Sequence, residues 1–246
     1  MSITSAEELA GMKMAGIVAR EVLEAMKSRV RPGVTTAALD EIGNQVMRQN
    51  GAHSAPAMVY GFPGGSCISV NDEVVHGIPG DRTIKEGDLV KLDVTVEKDG
   101  FMADTAATVG VGVISKERQK LIQCAERAFA KAMLVARAGF RIFDIGRVVE
   151  REVRRDGFSV IRDLCGHGIG RTIHEAPQVP NYPHRRARSV LTEGLVITVE
   201  PLISTGNGTE FLDEDGWTVR TADGTSAAHY EHTIVVMNGA PILLTA

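Results

Sequence analysis

The sequence has no apolar run approaching the roughly 20 residues that a bilayer crossing needs, and the acidic pair Glu7 and Glu8 stands where a signal peptide would be basic. A membrane span is excluded on that count, and a cytoplasmic location is expected. Cysteine is scarce. Cys67, Cys124 and Cys165 are odd in number and lack CxxC spacing, which rules out a disulfide framework and fits a reducing compartment. Excess positive charge is also missing: a formal charge of −4 leaves no basic stripe for neutralising phosphates, so nucleic acid is not expected as the main ligand. The short cluster His184, Arg185, Arg186 and Arg188 lies in a proline-containing stretch and reads as a solvated loop. What is present is 246 residues, 43% hydrophobic and 24% charged, enough to bury a substantial core in one large domain or two fused halves.

Hydrophobic spacing predicts four long helices. Ser5 to Glu8 forms a capping-box pattern, and Leu9, Met12, Gly16, Ala19, Leu23, Met26 and Val30 follow at three- and four-residue intervals, predicting a helix that runs to Pro32. A second begins near Thr36 and ends at Asn50 and Gly51, where glycine makes a left-handed cap inexpensive. Two more are expected over Lys116 to Ala136 and Phe140 to Asp156, the latter closed by Gly157.

These pairs align without gaps. Arg31 and Gly33 correspond to Arg137 and Gly139, and Gly51 to Gly157. Beyond each pair, His76-Gly77-Ile78 is echoed by His167-Gly168-Ile169 and Glu86-Gly87 by Glu193-Gly194. The acids repeat as well: Asp93 stands six residues after Gly87, Glu200 six after Gly194, and Asp104-Thr105 lies in a segment resembling Tyr230-Glu231-His232-Thr233. Landmarks in the same order in both parts indicate an internal duplication. With alternating strands over Leu89 to Glu97, Phe101 to Val109, Leu195 to Glu200 and Tyr230 to Met237, the expectation is an α+β fold. Two related halves, about 5–110 and 115–240, would form one catalytic domain, 1–246, with a cleft between them.

Alternation places Lys91, Asp93 and Thr95 on one strand face and Leu92, Val94 and Val96 on the other. A turn centred between Lys98 and Asp99 would set Asp93 opposite Asp104, whereas a three-residue loop would separate their faces unless a bulge restored parity. A lone acid on a strand is usually a solvated edge residue. Four acids at matched positions are another matter. At separations of ~4 Å, an effective dielectric near 20 gives about 4 kcal/mol of repulsion per ionised pair, so protons or cations must compensate. Two divalent ions would balance Asp93, Asp104, Glu200 and Glu231. His167, within Gly166-His167-Gly168-Ile169-Gly170, adds one imidazole to a mostly oxygen set suited to Mn, Fe(II), Co or Zn. Such a centre hydrolyses carbonyl compounds, with His174, seven residues after His167, and His76, the counterpart of His167 in the other half, as candidates for hydrogen bonding to the substrate. His53, His184, His229 and His232 read as surface or locally hydrogen-bonded residues, and Phe62 and Trp217 as core or pocket.

The chain resembles the type I methionine aminopeptidases, which have the pita-bread fold. The carrying segments are Asn71 to Pro79, Leu92 to Thr95 through Asp104-Thr105, Cys165 to Glu175, Thr198 to Pro201 and Tyr230 to Ile234, and the likeness covers nearly the whole chain. It implies a pseudo-two-fold duplicated antiparallel sheet backed by four helices, and release of the initiator methionine from nascent chains with a small second residue. It further implies Asp93 as a chelating ligand of one ion, Asp104 and Glu231 as bridges, and His167 and Glu200 as ligands of the other. Glu200 would accept a proton from the attacking water, His174 would contact the scissile peptide, and His76 would meet the substrate near the leaving side. Phe62, Cys67 and Trp217 match the side of the cleft that receives the methionine side chain. Val59 and Tyr60 stand where many relatives have a Tyr-His pair, and Ile173 where Phe is common.

The spacing from His174 to Glu200 leaves no room for the helical insertion of the type II enzymes, and no zinc-finger extension is expected before the first helix. An X-Pro dipeptidase or aminopeptidase of the same fold would share the acids but normally carries a long N-terminal domain. A non-enzymatic binding protein of this fold would have lost ligands, and here all five are present. The resemblance suggests a monomer; a transient ribosome contact would suit cotranslational action, although no motif marks one.

Overall fold

The computed structural model describes residues 1–246. Helix α1 (Ala6–Lys27) starts where Ser5 Oγ accepts the Glu8 N–H at 3.2 Å, while the Glu8 carboxylate takes the N–H of Thr4 instead of closing the box on Ser5. It stops short of Pro32. Residues 28–30 curl into a turn in which the Val30 N–H donates to the Lys27 carbonyl, ending the helix before proline could. Helix α2 (Thr36–Gln49), capped by the Thr35 hydroxyl, ends as expected at Asn50 and Gly51, the latter at φ 58°. Strand β1 (His53–Ser54) leads into α3 (Ala55–Tyr60), too short to have shown a helical period; Ser54 caps it and Gly61, at φ 70°, turns the chain out of it. Strands β2 (Cys67–Val70) and β3 (Glu73–Val75) then precede the long hairpin β4 (Leu89–Lys98) and β5 (Phe101–Gly110).

The second half opens with α4 (Lys116–Ala132), shorter than predicted because residues 133–136 tighten into a turn, and α5 (Ile142–Arg155). The expected start of α5 at Phe140 is displaced because the Phe140 carbonyl accepts the Leu191 N–H and Arg141 bridges Val190, committing that backbone to a strand-like pairing. Then come β6 (Ser159–Val160), β7 (Cys165–Gly168), β8 (Glu175–Pro180), β9 (Val196–Val199) and β10 (Leu202–Ser204). The chain closes with β11 (Glu210–Leu212), β12 (Val219–Thr221), β13 (Ala227–His229), β14 (Glu231–Val235) and β15 (Ile242–Leu243).

The main sheet runs β1-β4-β5-β14-β9-β7-β8, with β2 added on β4 and β15 on β14, all antiparallel. Two smaller sheets, β13-β10-β6 and β11-β12-β3, accompany it. Leu92, Val94 and Val96 share one core with Val22, Met26 and Leu39 of α1 and α2; Ile197, Val199 and Ile234 share another with Leu121, Phe129 and Val149 of α4 and α5. The four long helices thus cover the apolar face of the sheet. No helix is long and apolar enough to cross a membrane.

The β4–β5 register corrects one expectation. Asp99 and Gly100 form the turn, at φ 51° and 80°, as a two-residue primed turn requires, so the centre falls after Asp99 and Lys98 pairs with Phe101. Asp93 therefore lies opposite Ala106, and Asp104 opposite Thr95. Moving the turn centre by one residue shifts the pairing by two, which keeps both acids on the same face. Lys91, the buried neighbour on that face, donates from Nζ to the carbonyls of Asn71 (2.8 Å) and Ala227 (3.3 Å), tying β4 to β13.

Candidate metal centre

Strand pairing aligns the acids across the sheet. Cys67 pairs with Asp93, Asp93 with Ala106, and Ala106 with Glu231; the register of β14 on β9, with His232 opposite Val199, brings Glu200 beside Glu231. Asp104 sits one pleat away. It is anchored by its N–H to Thr233 Oγ1 at 2.8 Å, while the same hydroxyl donates to its carbonyl. From β7, His167 joins the group. Its N–H donates to Thr198 Oγ1, which in turn donates to Glu200 Oε1 at 2.9 Å, so one threonine sets both residues. His167 Nδ1 meets the Gly168 carbonyl at 2.9 Å. A carbonyl can only accept, so Nδ1 carries the proton, and bare Nε2 faces Glu200 Oε1 at 3.8 Å.

The electrostatics are those of acids that need a cation. Burial, then the Asp104 charge, pushes Asp93 well above the usual carboxylate range, and burial followed by Asp104, Glu200 and Asp93 does the same to Glu231. Glu200 is pushed up to about 8, by burial and then by Asp104. Burial also raises Asp104, against the hydrogen bond from Thr95. Asp104 Oδ1 and Glu231 Oε1 are buried without any hydrogen-bond partner. Donor atoms of Asp104, His167 and Glu231 lie within 4.8 Å of one another, and so do those of Glu200, His229 and Glu231. Unpartnered oxygens, a bare imidazole nitrogen and a hard-oxygen donor set fit divalent cations.

Asp93, Asp104, His167, Glu200 and Glu231 line a cavity of about 250 Å³ together with His76, His174, Phe62, Cys67 and Trp217. Phe62 and Trp217 meet edge to face at 5.3 Å, and Ile173 and Leu202 add buried apolar surface. Burial and then Asp93 drive the Cys67 thiol well above its usual range, so it serves as an apolar wall. His76 takes φ 59° and is pulled down to about 4 by burial and then His174. The echo between His76 and His167 does not extend to their settings: His167 belongs to a sheet strand, whereas His76 follows β3 in a left-handed turn. His174 lies with its ring 4.2 Å from that of His167.

His229 departs from the expectation of a surface or locally hydrogen-bonded residue. It is 1% exposed, with Nε2 at 3.2 Å from Glu231 Oε2. Its place two residues before Glu231 on the adjoining strand was the available signal. The sequence also gave no sign that Tyr60 reaches His174, or that Thr95 and Thr198 steady the acids. His232, by contrast, bonds locally to Thr245 and Tyr230, while His53 is exposed and His184 partly so.

The model of metallopeptidase family M24 matches residues 10–238. The chain belongs to this metallopeptidase family. As an M24 member it is a hydrolase that uses divalent metal, and the carboxylate centre above fits that requirement. Among its relatives, methionine aminopeptidase 2 of Bacillus subtilis (strain 168) is 45% identical, covering 100% of this chain and 99% of that protein. The methionine aminopeptidase of Clostridium perfringens (strain 13 / Type A) is 43% identical over 95% of this chain and 94% of that protein. The crystal structure of methionine aminopeptidase from Thermotoga maritima superposes with a TM-score of 0.96 at 34% identity, covering 100% and 99% of the two chains. This is the pita-bread fold expected above. The prolidase from Pyrococcus furiosus shares the fold at a TM-score of 0.81, with 21% identity and 65% of its length covered. The X-Pro alternative is therefore not favoured.

Proposed function

We propose that this chain removes the N-terminal methionine from peptides and nascent proteins whose second residue is small. The carrying observation is the set of carboxylates Asp93, Asp104, Glu200 and Glu231, the last three buried and two of them with unpartnered oxygens, lining a cavity with apolar walls. Full-length identity to methionine aminopeptidases supports the same reading. Asp93 would hold one divalent ion, His167 and Glu200 the other, and Asp104 and Glu231 both; Mn, Fe(II), Co and Zn all suit the donors. When bound, such ions lower the pKa of a water and polarise a carbonyl.

The remaining work falls to the chain. Glu200 takes the proton of the attacking water on its carboxylate, His174 hydrogen-bonds the scissile peptide, and His76 contacts the substrate on the leaving side. Phe62, Cys67 and Trp217 enclose the methionine side chain, whose flexible thioether suits a slot of aromatic edge and thiol. Residues 1–246 act as one catalytic unit, monomeric and cytoplasmic.

The test measures methionine release from Met-Ala-Ser and Met-Leu-Ser peptides with added Mn(II) or Co(II), with chelator, and for Glu200→Gln. Release from the first peptide, suppressed by both chelator and substitution, is the expected result. Activity indifferent to both would overturn the assignment.

A further inference from the structure

Tyr60, the last residue of α3, stands where relatives of the resembled family often have histidine. Its phenolic oxygen lies 2.6 Å from His174 Nδ1, and the two rings are 5.6 Å apart between centroids. Ser54 fixes the start of α3 by accepting the Ala57 N–H, and Gly61 closes it, so the phenol is delivered from a capped element. Only one proton can occupy the short contact. A phenolic O–H is a far better donor than the N–H of a neutral imidazole, so the O–H donates and Nδ1 accepts. A neutral His174 ring must then carry its hydrogen on Nε2.

His167, 4.2 Å away between ring centroids, is arranged the other way round, because the Gly168 carbonyl holds the proton on Nδ1. The two adjacent imidazoles are thus sorted by different partners. One offers a lone pair to the carboxylate centre, and the other offers a hydrogen to the cavity.

We propose that Tyr60 is a positioning residue that locks His174 in its Nε2–H form, making it a donor toward the peptide carbonyl and keeping it from competing with His167 as a ligand. The identity of the acceptor rests on the peptidase reading; the tautomer does not.

Long-range ¹H–¹⁵N spectra of Zn(II)-loaded protein labelled at histidine nitrogen, with the His174 signals identified by their loss in His174→Gln, read the tautomer directly. The expected result is an unprotonated Nδ1 and protonated Nε2 in the wild type, shifting toward a mixture in Tyr60→Phe. On Met-Ala-Ser, Tyr60→Phe should lower kcat about 3–10-fold, the size of one hydrogen bond, with KM and metal content unchanged. Protonation of Nδ1 in the wild type, on one or both nitrogens, would overturn the proposal, as would an unchanged spectrum in Tyr60→Phe. If the wild type released no methionine, the peptidase reading would fall while the nitrogen signals still decided the tautomer.

Discussion

The two strand pairs that carry the acids reach the same result by different routes. Strands β4 and β5 are paired over ten residues and joined by Asp99-Gly100, so their register is set locally by a turn with two positive φ angles. Strands β9 and β14 are paired over only four, and residues 200–230 lie between them. Distant contacts fix that second register, among them Thr198 to His167, Asn181 to the Glu200 carbonyl, and the Ala227 N–H to the Asn71 carbonyl. The pairings differ by two residues, Asp93 lying diagonal to Asp104 whereas Glu200 lies beside Glu231. A two-residue slip preserves the face, so duplicated strands can diverge in register and still aim their acids into one cavity. The longer connection in the second half supplies what the first lacks: Leu202 and Trp217 on the cavity wall, and His229 against the Glu231 carboxylate.

Substitutions can break this comparison. The largest effect is expected from Glu200→Gln, which removes a proposed proton acceptor and should lower kcat about 10²–10⁴-fold in peptide assays. Asp93→Asn in the first half alters a metal donor without that role, and should be partly recovered by excess Mn(II). Equal, unrecoverable losses in both would abolish the functional difference between the halves. Next, Asp104→Asn should lower the occupancy of both ions by elemental analysis, because it is proposed to touch each; loss of one ion alone contradicts bridging.

Metal-free protein gives the third test. Glu200, raised to about 8 in the folded state against ~4.3 unfolded, binds its proton more tightly when folded, so stability is full below the unfolded value and is lost as pH rises toward 8. The melting temperature without metal should fall by roughly 5–10 °C between pH 5 and pH 8, from a few kcal/mol at about 2–4 °C each. Glu200→Gln should make the curve shallower, the raised carboxyls of Asp93 and Glu231 keeping part of the slope. A pH-independent wild type would contradict the upward shift that burial and then Asp104 impose on Glu200. The smallest effect belongs to the turn: Gly100→Ala forces a side chain to φ 80° and should cost about 1 kcal/mol in urea melts, with activity retained.

Much of the fold could be read from local chemistry. Caps at Ser5 and Thr35, the glycine after α2 and the alternation around Asp93 are decided within a few residues, and they gave the long helices and central strands nearly to their ends. The β4–β5 turn was misjudged by one residue because its position depends on which two residues accept positive φ, and Asp99-Gly100 does so better than Lys98-Asp99. The six-residue α3 offers no period to detect. The internal repeat pointed to the four acids, and the glycine-rich segment from Gly166 to Gly170 to His167; His229 was missed because its burial depends on β13 packing beneath the acids, a contact between parts of the chain far apart in sequence.

Ala106 occupies the rung between Asp93 and Glu231 and is 1% exposed. A methyl group there leaves the width of one strand open between two carboxylates that adjacent strands would otherwise crowd with side chains. Replacing it with valine or leucine would fill that width while sparing every acid and histidine around it. Such a variant would part room from chemistry: every donor kept, and only the space between the two carboxylates reduced.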